Sequence, residues 1–149
     1  MILVEPIEKE YEIEMTHEDV KVVFTFCQLT YEQKADIVSR TTKMKQGRVV
    51  QDITLNSFLT VKNALKSVTG LHCLVDGKEK EYTLQFDAEG LVTDKNLNEL
   101  FNTPFQDNLV FSANHLSSGI PDEIIHPLTR QKLEGVEILP QKGSVEKKS

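Results

Sequence analysis

His72 and Cys73 are adjacent and form the chain's nearest approach to a reactive motif, for metal binding or thiol chemistry. A zinc ion needs about four converging ligands. The sequence has no Cys-x-x-Cys and no His-x-x-x-His, and His17, His115 and His126 are widely scattered. Cys73 therefore reads as a strand cysteine that behaves as a small hydrophobe, and Cys27 reads the same way. A nucleophilic Cys with a His base would have to meet in space, and nothing in the spacing points to such a pair. Glu123 and His126 stand three apart, but Pro121 and Pro127 flank them and argue against a regular helix. All seven glycines are isolated, so there is no phosphate-cradling loop. Asp87-Ala88-Glu89-Gly90 lacks the further spaced oxygens of a calcium loop. The expectation is a protein without catalytic residues, metal or cofactor.

The elements that would position these residues centre on Asp52–Gly70. Leu55, Phe58, Val61, Leu65 and Val68 recur at helical spacing, and Leu59 widens the stripe. Asp52 suits the N-cap and Gly70 the stop. The spacing predicts one broad core helix over the whole stretch. Before it, Tyr11, Ile13 and Met15 alternate with Glu10, Glu12 and Glu14. A turn at Thr16–Asp19 leads to Val20, Val22, Phe24 and Phe26 on alternate positions, which predicts an antiparallel hairpin with one wet face. Lys21 is placed to pair across the strands with one of the glutamates. Thr30-Tyr31-Glu32-Gln33 fits a capping box that opens a helix running to about Lys45, with Gly47 as its stop. Lys34, Arg40, Lys43, Lys45 and Arg48 make that stretch basic. Asp76-Gly77 signals a second hairpin between Leu71–Val75 and Lys78–Phe86. Thr93 starts a short helix with Leu97, Leu100 and Phe101. Thr103-Pro104-Phe105-Gln106 starts the last helix, with Phe105, Leu109, Ala113 and Leu116 on one stripe and Phe111 off it.

The predicted fold class is α+β, with an N-terminal antiparallel β-hairpin, about four helices, a second hairpin and an extended C-terminal tail. Residues 1–9 are an extended lead-in, residues 10–119 a single domain, and residues 120–149 a polar, proline-containing tail. A chain of 149 residues suits one such domain. The net charge of −6 is uneven: residues 1–19 hold seven acids against Lys9, and the remainder is neutral. That acidic start repels phosphates and argues against nucleic-acid binding. Two cysteines are too few for a secreted disulfide framework. Met1–Val4 followed by Glu5 and Pro6 does not resemble a signal peptide, and no apolar run has the length of a membrane span. These features predict synthesis in a reducing cytoplasm.

Three pieces resemble a known family. An acidic hairpin passes through FTFCQLTYEQ into a helix. VKNALKSVTGLHCLVDGKEKEYTL ends a helix at glycine and leads to an Asp-Gly-Lys turn. A proline-started helix and a polar tail follow. Over residues 10–118 this layout resembles the tail assembly chaperones of long-tailed bacteriophages. It departs from them at Leu71-His72, where such proteins often carry a Trp before the turn. The resemblance implies a non-catalytic protein that coats apolar stretches of the tape-measure protein and brings tail-tube subunits to it, in the cytoplasm of the infected host. It also implies an elongated product made by a shift of reading frame near the C-terminus, where Lys147 and Lys148 suggest an adenine run. The alternative is a small structural subunit of the virion, in the tail, baseplate or neck, held by an ordered C-terminal arm. The expected partner surface is Glu10, Glu12 and Glu14 on the wet strand face, Phe111, and Ile120 and Ile124 in the tail. The partners are other tail proteins or neighbouring virion subunits, with self-association left open, and neither nucleic acid nor membrane.

Overall fold

The structure is a computed structural model and describes residues 1–4, 9–117, 124, 128–129 and 131–140. It is built on a hairpin of β1 (Glu10–His17) and β2 (Val20–Cys27), paired from Glu10–Cys27 to His17–Val20. Glu18 and Asp19 turn the chain with φ of 47° and 66°, the left-handed pair that matches strand twist in a two-residue hairpin loop. Alternation sends Tyr11, Ile13, Met15, Val22, Phe24 and Phe26 inward, all buried. The predicted hairpin is present, with its turn one step tighter than expected.

α1 (Tyr31–Thr41) opens with the predicted capping box. Gln33 N donates to Thr30 Oγ1 at 3.1 Å, and Thr30 N donates to Gln33 Oε1 at 2.8 Å. The helix ends at Thr41 rather than near Lys45. Residues 42–51 form a separate hairpin, β3 (Thr42–Lys45) and β4 (Arg48–Gln51), turned by Gln46 and Gly47 with φ of 51° and 76°. Gly47 is thus a turn residue and not a helix stop.

The central stretch is also divided. α2 (Ile53–Ala64) begins at Asp52, whose Oδ1 accepts from Leu55 N at 3.0 Å, as predicted. It stops at Ala64, and β5 (Leu65–Thr69) pairs with the free edge of β2. The register shifts between Thr25 and Phe26, so that Ser67 opposes Thr25 while Leu65 opposes Phe26, leaving Lys66 as a bulge. That extra residue puts Leu65 and Val68, three apart, on the same buried face. A bulged strand has here the spacing of a helix, and the expectation of one helix to Gly70 is corrected.

The second hairpin is present as β6 (His72–Val75) and β7 (Lys78–Glu81), turned by Asp76 and Gly77. α3 (Asp94–Leu100) is capped by Thr93, whose Oγ1 accepts from Asn96 N at 3.3 Å. α4 (Gln106–Ser117) buries Leu109, Ala113 and Leu116 of the predicted stripe, with Phe105 buried just before it; Thr103 and Pro104 lie in the turn that precedes the helix and do not start it. α2 lies against α1, α3 and α4. The α+β class therefore stands as expected, with four helices among the described residues.

Beyond α4, described residues return to the body. β8 (Val136–Ile138) pairs antiparallel with β1 and completes a sheet of order β5-β2-β1-β8. Thr16 N donates to Gly135 O and Leu139 N to Glu12 O, each at 2.8 Å. Gly135 has φ of +74°, and a Cβ there would stand 2.9 Å from Thr16 O, so a side chain would meet both a strained backbone and a close contact. Ile124, Leu133 and Val136 join the core, which corrects the reading of the segment from residue 120 as lying wholly outside the domain. No described helix is long and apolar enough to cross a membrane.

Candidate functional site

The expected partner surface divides into two groups of residues with different fates. Glu10 is exposed, and Glu12 and Glu14 are half-buried, all on the outer face of β1. Glu14 Oε1 lies 3.9 Å from Lys21 Nζ, the predicted cross-strand pair. Glu10 Oε2 accepts a 3.9 Å bond from the Cys27 thiol, whose pKa is pushed up by burial first and by this carboxylate second. A thiol held protonated in this way is a poor nucleophile. The apolar residues behave otherwise. Ile124 is only 1% exposed and packs in the core, so it is withdrawn as a partner contact. Phe111 is half-buried and packs against the same core. Ile120 lies outside the described residues, as do Glu123, His126 and residues 141–149.

His72 and Cys73 are consecutive in β6, so their side chains leave opposite faces of the strand and cannot converge on one ion. Among the described residues, no three His, Cys, Asp or Glu side chains come together as a metal site. A cleft of about 260 Å³ lies beside them, lined by Leu71, His72, Cys73, Tyr82, Glu99, Leu100 and Thr103. Two of its polar groups, Tyr82 and Glu99, are bonded to one another and to Asn96 beside it. Tyr82 Oη donates to Glu99 Oε1 at 2.6 Å and accepts from Asn96 Nδ2 at 2.8 Å. Asn96 Oδ1 accepts from Gln85 N at 2.6 Å and from Thr93 Oγ1 at 3.1 Å. Burial, then the bond to Glu99, pushes the Tyr82 phenol well above its ordinary pKa, and the Tyr82 bond holds the Glu99 carboxyl below its own. Neither group is poised to exchange a proton near neutral pH. The network joins the end of β7 to α3.

Lys62 is likewise engaged. Its ammonium donates to Asp94 Oδ1 at 2.7 Å and to Val92 O at 3.1 Å, and stands 3.5 Å from Asp87 Oδ2. Asp87 in turn accepts from the N–H groups of Glu89 and Leu91 at 2.9 and 3.1 Å, and these bonds hold its carboxyl below the usual range. This cluster fastens α2 to the loop before α3. It binds the protein to itself.

The feature that sequence reasoning missed is the β3–β4 hairpin. Its register pairs Lys45 with Arg48, Met44 with Val49, and Lys43 with Val50. Alternation therefore gives it two unlike faces. One carries Met44 and Val49, which are 67% and 70% exposed. The other carries Lys43, Lys45, Arg48 and Val50, also exposed. Neither face contributes to the core. The signal was present in TKMKQGRVVQ, where β-branched residues flank a Gln-Gly turn, but the preceding capped helix invited continuation through it. No family model, no curated protein and no solved structure matches the chain.

Proposed function

We propose that this chain is a non-catalytic, protein-binding component of bacteriophage tail assembly, which holds tape-measure and tail-tube subunits as a chaperone. The observation that supports it is the Met44–Val49 pair, a cross-strand apolar contact left open to solvent on a hairpin. A lone two-stranded hairpin is marginally stable in water, so exposing its apolar pair is costly unless a partner covers it. Methionine adapts its shape to varied apolar side chains, which suits a protein that must coat successive stretches of a long client. The engagement of Tyr82, Glu99, Lys62 and Asp87 in structural bonds fits a protein that binds and does not catalyse. The alternative, a structural subunit, drew its support from a C-terminal arm held by neighbours. Residues 136–138 instead pair with β1 of the same chain, which favours the chaperone reading.

The test is co-expression with phage tape-measure and tail-tube proteins, followed by affinity purification. Met44→Ser with Val49→Ser should lower recovery of both at least several-fold. Because both side chains are exposed, stability should change by no more than about 0.5 kcal/mol. Undiminished recovery by the double variant would overturn the assignment.

A further inference from the structure

The opposite face of the same hairpin points to a different partner. Residues 42–51 contain no acid, and alternation gathers Lys43, Lys45 and Arg48 on one side. Among the described residues, none of these three cations takes part in an ion pair. Half of the chain's net charge of −6 lies on another element, β1, which has three acids and no Lys or Arg. Glu10, Glu12 and Glu14 recur at every second position of β1, on its outer face. Glu14 also stands directly beside Glu137 of β8. Like charges opposed across two strands destabilise the pair. The nearest cations, Lys21 and Lys132, reach these two carboxylates only at 3.9 Å each.

We propose that copies of this chain associate head to tail, with the basic face of β3–β4 in one copy seated on the acidic outer face of β1 in the next. The match is in charge and in spacing. Residues on one face of a strand repeat about every 6.6 to 7 Å, so Lys43 and Lys45 have the same repeat as Glu12 and Glu14. Arg48, directly across from Lys45, adds a planar fork suited to a carboxylate. The contact relieves the Glu14–Glu137 repulsion that the isolated chain must tolerate. Because the two surfaces differ, the contact is heterologous and builds a ring or an open string rather than a closed pair. It leaves Met44 and Val49 on the far side of the hairpin, so self-association and client binding do not compete for one face. The inference does not rest on the tail-assembly reading.

The test uses the purified full chain in sedimentation velocity. Mass should rise above the 16.9 kDa of one chain with increasing concentration in low salt. The dissociation constant should rise at least about tenfold between about 0.05 and 0.5 M salt, because the paired charges lie near the surface. Lys43→Glu, Lys45→Glu and Arg48→Glu together should give a monomer. Glu10→Lys, Glu12→Lys and Glu14→Lys together should give another. An equimolar mixture of these two variants should associate again, since each then offers the complement of the other. Should the lysine variant unfold, glutamine at the same three positions must still abolish association. Met44→Ser with Val49→Ser must leave association intact. A wild-type chain that stays monomeric at low salt, or variants that fail to complement on mixing, would overturn the proposal. So would hairpin-dependent binding of an oligonucleotide without self-association.

Discussion

Tyr82 carries more of the fold than its half-exposed position suggests, because its phenol is shared between Glu99 and Asn96. A hydrogen bond to a charged group contributes roughly 1–2 kcal/mol at a partly exposed site, so Tyr82→Phe should destabilise by about that amount. The pH dependence has two limbs. Glu99 is depressed in the folded chain, so its contribution is present above the unfolded value of about 4.3 and is lost as pH falls through the folded value. Tyr82 is raised, so its contribution is present below about 10 and is lost as pH rises through the folded value. The gap in stability between wild type and Tyr82→Phe should therefore be widest from about pH 5 to 9 and should narrow on both sides. Denaturant melts across pH would show it, and a gap independent of pH would mean that the bond to Glu99 is not what the phenol supplies. A second contrast separates Leu65 from Leu55. Leu65 is fully buried where β2 meets β5, and Leu65→Ala should cost about 2–5 kcal/mol. Leu55, half-buried in the first turn of α2, should cost well under half of that.

At the scale of elements, capping and turn chemistry were legible, whereas the points where one element gives way to the next were not. Thr30 with Gln33, Asp52, Thr93 and the Asp76-Gly77 turn act as their local chemistry dictates. These signals depend on neighbours within a few residues. The end of α2 depends on β2, which is distant in sequence and offers an unpaired edge to Leu65–Thr69. No local preference reveals that edge, and the bulge at Lys66 then gives Leu65 and Val68 a helical spacing. The attachment of β8 has the same long-range origin, and Gly135 is its joint. Gly135→Ala combines a left-handed backbone with a 2.9 Å contact to Thr16 O, for which strain of about 1–3 kcal/mol is the expected scale. Hydrogen exchange should show Thr16 and residues 136–139 losing protection in this variant while α2 and α4 keep theirs. Uniform loss across the chain would mean that β8 is part of the cooperative core and not a strand attached to it.

At the scale of the whole molecule, the buried face of one four-stranded sheet and the helices around α2 form a single core. Two hairpins, β3–β4 and β6–β7, stand outside the main sheet. The candidate site was half legible. Its acids follow from plain alternation along β1, but Ile124 is buried in the core, and an isolated apolar residue in a polar, proline-containing segment gives no local hint of that. That correction bears on the choice between a transient chaperone and a permanent virion part. A subunit built into a particle buries extensive surface against its neighbours, commonly through arms that have no place on their own body. Residues 136–138 have such a place, and the exposed apolar pair Met44–Val49 amounts to a small contact that can be made and released. Mass spectrometry of purified particles should therefore not find this chain at structural stoichiometry, while lysates of infected cells should contain it together with tape-measure and tail-tube proteins. The same lysates test for a longer product sharing the N-terminal sequence, which a slippery run at the Lys147 and Lys148 codons would generate. A chain present in particles in fixed ratio to the tail tube would assign it to the virion and overturn the chaperone reading.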